Sequence, residues 1–454
     1  MNWLDITTSY NWSRPPVGIV RVELEAINYS LNHRKNTKFC IFNKKLNKFY
    51  EIKKDEVRMI VDSLSHMQTQ SIIHNNTSRK YHKFVFFLRL FLFYILRDKE
   101  KKIEVRLKKY KPLIINIYIN SKRFLKSLVS FVKLPFNCLS KKKNLNTEIF
   151  FKKNDTYISM GLDWDNKDLK YLYDIKKKNK FNVKFFCYDI IPILYPHLCS
   201  GNVSPIFIDY YINLAHVSDH VYCISANTRK DLVKFWRSSN APIKSTSIVR
   251  LGDTEIIHDS ALTNFQLQNL NINHLINFDF ILLVSTIERR KNHEIIYRAY
   301  VRLIDKGYKD VLPNLIFIGM HGWGVNDLMD DLKYDPRIRD KIYIFNNISD
   351  YELAILYKKC LFTVYPSLYE GWGLPVAESL SYGKFCLASS SSSVPEIFSN
   401  KECIDFIDPW DLYSWEKAIL FFSTNKKELY KKEKMIKKHF KITSWKTTFE
   451  KVFK

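Results

Sequence analysis

The carboxy-terminal half of the chain alternates short apolar runs with mixed polar segments of helical length. A helix is predicted from about His293 and another after Ser349, where Glu352 three residues later forms a capping box. Strands that alternate with helices predict a parallel sheet covered on both faces, with ligands at the carboxyl ends of its strands. The apolar runs that predict the strands are 278–284, 314–319, 341–345, 361–365, 384–388 and 404–407.

The amino-terminal half contains comparable apolar runs. Residues 184–192 predict a strand that ends in a polar turn at Asp189, and residues 221–232 predict a strand, a turn and a helix. Asp5 lies on a short predicted strand, and Gly18 is predicted to start the first helix. At 454 residues the chain exceeds what one hydrophobic core usually serves, so two domains are expected.

Residues 365–383 place two carboxylates and two glycines around one predicted helix start. The strand before them must end at Pro366, because proline cannot extend a central strand. Gly371 and Gly373 allow backbone conformations closed to other residues, so that amide groups can face a ligand. Pro375 suits the first position of a helix, and Gly383 suits its end.

Two carboxylates flank this helix start. Glu370 precedes the helix and Glu378 lies one turn into it. The unpaired amides of a helix start attract phosphate, and the carboxylates can accept hydrogen bonds from sugar hydroxyls. The segment therefore predicts a nucleotide-sugar site, against the alternative that both glutamates lie on a solvated helix face.

A basic turn follows the first strand of this half. Arg290 and Lys291 are predicted to clamp a diphosphate there, since each hydrogen bond to a charged group contributes roughly 1.5–3 kcal/mol. The alternative is a solvated basic run on the surface.

Glu370 and Glu378, with Gly-Trp-Gly-Leu-Pro between them, resemble the Glu-x7-Glu signature of the retaining GT-B glycosyltransferases of family 4, or group 1. Many bacterial surface-polysaccharide mannosyltransferases belong to that family. The basic turn is also similar to its Gly-Thr-x-Glu-x-Arg-Lys-Asn segment, although Ser285 replaces the glycine. The matching residues are Thr286, Glu288, Arg290, Lys291 and Asn292.

Two further segments are similar to the family's motifs. Gly18 lies in a Gly-Ile-x-Arg-Val sequence, and the resemblance implies that this loop approaches the donor phosphate and the acceptor. Asp189 and Pro192 fit a His-Asp-x-x-Pro pattern in which Tyr188 replaces the histidine. Asp189 is therefore a candidate catalytic residue, and capping of the strand end is its alternative role.

The serine run at 389–393 precedes a Val-Pro-Glu sequence. It predicts a strand-to-helix turn in which Ser393 and Glu396 form a second capping box. The resemblance adds a contact between this loop and the nucleotide or its phosphate.

The resemblance implies an α/β protein of the GT-B class, with two Rossmann-like doubly wound domains that face a central cleft. The similarity covers nearly all of the chain except roughly 50–150. The implied parts are an acceptor-side domain at 1–253, a connector at 254–277, a nucleotide-sugar domain at 278–425 and a helix at 426–454 that returns to the first domain.

The implied activity is metal-independent transfer of a hexose with retained anomeric configuration, and no cofactor is expected. GDP-mannose is the first donor candidate, ahead of UDP-hexoses. The acceptor is a glycan or a polyisoprenoid-linked glycan of an O-antigen or capsule type of polysaccharide. Asp163 and Asp165 have the spacing of a metal motif, which we interpret as coincidental. The predicted catalytic residues are Glu370 and Asp189, and the predicted donor-binding residues are Gly18, Arg290, Lys291, Gly371, Gly373 and Glu378.

Most of the excess positive charge lies in one segment. The chain carries a formal charge of +26, and residues 79–143 hold 19 Lys or Arg against three acidic side chains. Residues 84–96 are apolar but too short to cross a bilayer. We therefore expect 79–143 to bind an anionic membrane surface. A buried helix with a basic face and a nucleic-acid site are the alternatives, although no nucleic-acid module accompanies the segment.

Two other functions remain open at this point. One is a non-catalytic membrane-binding or nucleic-acid-binding protein on a GT-B scaffold, and the other is a sugar-nucleotide epimerase. The eight cysteines show no close pairing and no metal-ligand spacing, which indicates reduced thiols. Residues 1–5 show no secretory signal, so we expect the chain to start here. The expected location is the cytoplasm, at the inner face of the cytoplasmic membrane.

Overall fold

The computed structural model describes residues 1–70, 147–253, 277–346 and 348–453. The predicted membrane-binding segment 79–143 and all of the predicted connector except residue 277 lie outside the described residues. Apart from residue 70, the described residues belong to one compact unit formed by residues 1–69 and 147–454. We call the part of it up to residue 253 the first lobe and the part over 277–439 the second lobe.

The described part of the first lobe contains an eight-stranded sheet in the order β4-β3-β2-β1-β5-β6-β7-β8. Its pairs are parallel except for β2 with β3 and β3 with β4. The central strands are apolar on both faces, as expected where helices cover both sides. The strands are β1 (Asn2–Asp5), β2 (Thr37–Asn43), β3 (Lys48–Ile52), β4 (Thr147–Glu148), β5 (Thr156–Ser159), β6 (Asn182–Cys187), β7 (His220–Cys223) and β8 (Ser245–Ile248).

Helices connect these strands and bury their apolar sides on the sheet. Trp236 is fully buried among Leu214, Val221 and Leu232 in the main core of this lobe. The helices are α1 (Thr7–Asn11), α2 (Ile19–His33), α3 (Lys54–Gln70), α4 (Asp163–Asn166), α5 (Leu169–Asn179), α6 (Ile191–Leu194), α7 (Ser204–Val217) and α8 (Ala226–Ser238).

The second lobe holds a parallel sheet in the order β11-β10-β9-β12-β13-β14. The predicted strands appear with small shifts at their ends, and the predicted capping box of Ser349 and Glu352 is present. The strands are β9 (Phe280–Val284), β10 (Asn314–Ile318), β11 (Ile342–Phe345), β12 (Phe362–Tyr365), β13 (Cys386–Ser389) and β14 (Ile404–Ile407). The helices are α9 (His293–Asp305), α10 (Asn326–Tyr334), α11 (Asp350–Lys359), α12 (Leu374–Ser381), α13 (Val394–Ile397), α14 (Leu412–Thr424) and α15 (Lys426–His439).

The carboxy-terminal segment forms two helices where the sequence suggested one. After α15 the chain continues to α16 (Trp445–Val452), which packs on α2 of the first lobe. The ring of Tyr29 on α2 lies 5.7 Å from that of Phe449 and 5.8 Å from that of Phe453. A side chain at Gly252 would place its Cβ 2.5 Å from the Trp445 ring, so this approach requires glycine.

The carboxyl edges of the two sheets face each other. Tyr188 follows β6 and Gly371 follows β12, and a Cβ on Gly371 would lie 2.2 Å from the Tyr188 carbonyl oxygen. Trp323, after β10, donates its indole N–H to the carbonyl of Leu198, after β6, at 3.3 Å. The predicted α/β class with two Rossmann-like sheets, mostly parallel in the first lobe and parallel in the second, is confirmed.

None of the helices within the described ranges is long and apolar enough to cross a bilayer. The seven cysteines in the same ranges are free.

Candidate functional site

Glu370 lies at the carboxyl edge of the second sheet, in the loop between β12 and α12. Its side chain is 8 % exposed, and its carboxylate pairs with Lys291 at 2.5 Å and with Arg290 at 2.8 Å. The hydroxyl of Tyr365 donates to it at 2.9 Å, and that of Ser367 at 2.6 Å. Glu370 is thus a buried carboxylate whose charge is fully compensated by neighbouring groups.

The two cations come from a short 3-10 turn, Arg289–Lys291, that follows β9. Arg290 also pairs with Glu288 at 2.7 Å and donates to the Tyr369 carbonyl at 2.9 Å. We call Glu288, Arg290, Lys291 and Glu370 the Glu370 cluster. It contains two cations and two carboxylates. These side chains come together because β9 and β12 are neighbours in the sheet.

Burial and neighbouring charges both shift the pKa values in this cluster. Burial alone would raise the pKa of Glu370, but Arg290 and Lys291 more than offset that effect and lower it to about 2. Burial lowers the pKa of Lys291, and Arg290 lowers it further, while Glu370 acts in the opposite direction. An anion that entered beside Lys291 would favour its charged form, so the arrangement suits a phosphate.

The two glycines of the motif have different roles. Gly373 has a φ of 114° as the N-cap of α12, as predicted from its conformational freedom. The φ of Gly371 is not in the left-handed region. Glycine is required at 371 because the Tyr188 carbonyl of the first lobe approaches it, so that part of the prediction was wrong.

The predicted capping box of Ser393 and Glu396 is wrong. The Ser393 side chain makes no cap and donates to the Glu370 carbonyl at 2.8 Å. Glu396 instead accepts from the backbone amides of Ala226 at 2.6 Å and Asn227 at 2.8 Å, in the first lobe. A capping box depends only on local geometry. Here Ser393 bonds to the loop that carries Glu370, and Glu396 bonds to the first lobe.

The serine run holds the loop that carries Glu370. The Ser391 hydroxyl donates to the Leu368 carbonyl at 2.7 Å, and the Glu370 amide donates to the Ser392 hydroxyl at 2.8 Å. With the bond from Ser393, three consecutive serines fix the backbone around Glu370. A contact of this run with a nucleotide stays a prediction.

Asp189 faces this loop from the first lobe. Its carboxylate accepts from the Ile191 amide at 3.0 Å, so it caps the turn after β6. Its Cβ also lies 3.1 Å from where a Cβ on Gly371 would be. Burial raises the pKa of Asp189, and Arg290 counteracts this increase. The Tyr188 hydroxyl, in place of the family's histidine, donates to the Met160 carbonyl at 2.6 Å.

The other two predicted site residues have different surroundings. Glu378 is on α12 and accepts from the Tyr357 hydroxyl at 3.0 Å. Gly18 is the exposed N-cap of α2 with a φ of 53°, and a Cβ there would meet no heavy atom within 4 Å. The geometry therefore brings Glu370, Arg290, Lys291, Gly371 and Asp189 together, with Gly373 and Glu378 on the adjoining helix, and leaves Gly18 in an open loop.

Sequence reasoning missed two tyrosines that belong to the site. The Tyr365 hydroxyl lies between Lys291 and Glu370, 2.9 Å from each. The Tyr369 hydroxyl donates to Asp231 of the first lobe at 2.6 Å. A tyrosine at the last position of a buried strand could have indicated the first, because a buried phenol needs a polar partner. No local signal indicated the second.

A second group of buried charges lies at the carboxyl edge of the first sheet. Lys167 pairs with Asp5 at 3.1 Å and with Asp163 at 2.6 Å, and its side chain is 2 % exposed. Glu23 lies nearby, where it accepts from the Ser9 amide and hydroxyl. We call Asp5, Glu23, Asp163 and Lys167 the Lys167 cluster. Within the described residues no three His, Cys, Asp or Glu side chains are grouped to hold a metal ion, and Asp163 is engaged by Lys167.

The first lobe also contains a cavity of about 750 Å³. Trp164 lines it and packs against Phe207 in a tilted arrangement, with ring centroids 4.8 Å apart. The polar side chains around it include Lys44, Asp209 and Asn213. Aromatic and polar groups of this kind can bind a carbohydrate.

Comparison with known proteins adds to this geometry. Residues 271–441 match the model of the family described as "Glycosyl transferases group 1". The chain is 30% identical over 204 residues to the serotype-specific mannosyltransferase WbdA of Escherichia coli. The predicted resemblance is confirmed. That match covers 43% of this chain and 24% of WbdA, so the chain spans about a quarter of the length of this relative.

Two other comparisons cover more of the chain. An N-acetylgalactosaminyltransferase of Campylobacter jejuni, named for a diphospho-undecaprenol substrate, is 26% identical over 61% of this chain and 67% of its own length. The crystal structure of Anabaena HepE with UDP and glucose superposes with a TM-score of 0.54 at 10% identity, over 100% of this chain and 98% of that one. The fold is that of the GT-B glycosyltransferases.

Proposed function

We propose that the protein is a glycosyltransferase that moves a hexose from a nucleotide-sugar to a glycan. The observation that carries the proposal is the Glu370 carboxylate, held between Arg290 and Lys291 beside the start of α12. The cations would bind the diphosphate and stabilise the charge that develops on it as the bond to the sugar breaks. Glu370 would accept hydrogen bonds from the sugar, and Glu378 from the ribose.

The finer assignments belong to the same proposal. Mannose is the favoured sugar and GDP-mannose the favoured donor, because several of the relatives that the chain matches are named as mannosyltransferases. Retention of configuration and independence from a metal follow the family resemblance. Departure of the nucleoside diphosphate and attack by the acceptor hydroxyl on the same face of the sugar would give that stereochemical outcome. Asp189 lies opposite Gly371, where it could contact the acceptor hydroxyl.

The acceptor we favour is a lipid-linked glycan at the cytoplasmic face of a membrane, in synthesis of an O-antigen type of polysaccharide. The Campylobacter relative supports a polyisoprenoid carrier, because its name includes diphospho-undecaprenol. The cavity beside Trp164 offers an aromatic surface for such a glycan.

Binding of sugar nucleotides tests the proposal without an acceptor. We expect saturation-transfer NMR to detect one donor among GDP-mannose, UDP-glucose, UDP-N-acetylglucosamine and UDP-N-acetylgalactosamine. Glu378→Ala should weaken that signal strongly, while Lys401→Ala, at an exposed position of the same lobe, should leave it unchanged. Failure of every donor to bind would reject the proposal and favour a non-catalytic scaffold.

A further inference from the structure

Glu396 crosses from the second lobe to the first and binds the start of α8. Its two oxygens accept from the amides of Ala226 and Asn227, the first two residues of that helix. The amide of Thr228, the third residue of the helix, donates to the Ser225 hydroxyl. A carboxylate at a helix N-terminus is favoured both by hydrogen bonding and by the helix dipole.

Tyr369 makes a second connection between the lobes. Its hydroxyl donates to Asp231 at 2.6 Å and accepts from the Asn227 side chain at 2.9 Å. Its ring lies 4.7 Å from that of Tyr195 in the first lobe. Its carbonyl accepts from Arg290 of the Glu370 cluster. One residue therefore contacts α8 with its side chain and the candidate donor site with its backbone.

Both connections lie next to residues that hold the backbone of Glu370 or precede it. Tyr369 precedes Glu370 in the chain, and Glu396 follows the serine run that fixes the Glu370 backbone through Ser392 and Ser393. The contacts of Glu396 are exposed, so solvent can reach them and they can open without unfolding either lobe. Contacts that cross between lobes and also hold a site loop can couple the approach of the lobes to the geometry of the site.

We propose that Glu396 and Tyr369 form a two-point latch through which the first lobe orders the loop that carries Glu370. Tyr369 is then a positioning residue for the donor. The effect of the latch on the donor rests on the proposed function, whereas its effect on the loop does not.

Hydrogen exchange measures the latch without any nucleotide. In Glu396→Gln we expect the amides of Ala226 and Asn227 to exchange about tenfold faster, as for loss of roughly 1.4 kcal/mol of local protection. We also expect the Glu370 amide to exchange faster, although its own partner, Ser392, is unchanged. Tyr369→Phe should increase exchange in the same two segments.

The matched controls are Glu402→Gln and Tyr413→Phe, at exposed positions of the second lobe. They should change neither segment. Faster exchange at 226–227 alone would show that Glu396 is only a local helix cap, and this result would overturn the latch.

Donor affinity provides the second readout. With GDP-mannose and UDP-glucose as probes, each single variant should bind the preferred donor about 5- to 10-fold more weakly, and the double variant should be little worse than either, because both break one latch. Losses that multiply in the double variant would overturn the coupling. If the wild-type protein binds neither probe, the proposed donors are wrong, and the exchange results alone decide for or against the latch.

Discussion

Each lobe carries a buried charge cluster at the carboxyl edge of its sheet, but the two clusters differ in charge balance and in access. The Lys167 cluster has one cation for three carboxyl groups, and the side chains of Asp5, Asp163 and Lys167 are at most 3 % exposed. The Glu370 cluster has two cations for two carboxylates, and its Arg290 and Lys291 are 17 % and 13 % exposed. Equivalent positions in the two sheets are thus used in opposite ways.

The difference separates a structural cluster from one that can bind an anion. Burial raises the pKa of Asp163, and Lys167 counteracts this, so the single cation is fully engaged. A phosphate would not be stabilised there, because the carboxyl groups outnumber the single cation and would repel the phosphate. In the Glu370 cluster, the cations are in balance with the carboxylates and part of their surface is accessible. We therefore expect substitutions in the Lys167 cluster to reduce the free energy of unfolding, and substitutions in the Glu370 cluster to reduce the affinity for the donor.

The largest effect is expected from Lys167→Met. The substitution leaves Asp5 and Asp163 buried without a cation, and breaking a buried ion pair in this way costs about 3–5 kcal/mol. Urea unfolding should show a loss of that size in the free energy of unfolding. Lys170→Met, at an exposed position three residues later, is the control and should change it by less than about 0.5 kcal/mol. Equal stability of the two variants would contradict a structural role for the Lys167 cluster.

The next effect is expected from Lys291→Met, on affinity more than on stability. Loss of a charged hydrogen bond of roughly 1.5–3 kcal/mol should weaken binding of GDP-mannose roughly 10- to 150-fold in calorimetry. Glu370 keeps Arg290, Tyr365 and Ser367 as partners, so the free energy of unfolding should fall by only about 1 kcal/mol. A loss of stability as large as that of Lys167→Met, with unchanged affinity, would make the two clusters alike.

The third effect is a difference in the pH dependence of stability, which per pH unit is smaller than the loss of affinity expected for Lys291→Met. Burial raises the pKa of Glu23 to about 8, the hydrogen bond from Ser9 lowers it, and Asp5 raises it further. The folded state therefore holds this proton more tightly than the unfolded state, whose carboxyl titrates near 4.5. The resulting stability is fully present below that pH and is lost as pH rises through about 8, at up to about 1.4 kcal/mol per pH unit.

Glu23→Gln should remove this loss, so that the variant gains stability relative to wild type between about pH 5 and 8. Glu370 acts with the opposite sign: its pKa of about 2 gives stability that is present above the unfolded value of 4.5 and is lost as pH falls through 2. Thermal unfolding of the Glu23→Gln variant and of the wild type between about pH 5 and 8 measures the difference in stability. Parallel pH profiles for the variant and wild type would show that Glu23 is ionised in the folded protein.

Local sequence was sufficient for several elements of the second lobe. The capping box at Ser349, the helix from His293 and the left-handed Gly373 depend on residues a few positions apart, and all three appear as predicted. The sequence also marked Arg290, Lys291 and Glu370 as separate candidates, because polar side chains after apolar runs fall at the ligand-binding edge of a parallel sheet.

Only the tertiary structure decided how these groups combine. Lys291 meets Glu370 because β9 and β12 are neighbours in the sheet, although the two residues are 79 positions apart in the chain. Glu396 accepts from an amide at the start of α8 and forms no local capping box. Residue 371 must be glycine because the Tyr188 carbonyl of the first lobe approaches it. Hydrogen-bond periodicity along the chain fixes helices and strands locally, whereas ion pairs and close backbone approaches depend on which strands become neighbours and on how the two lobes meet.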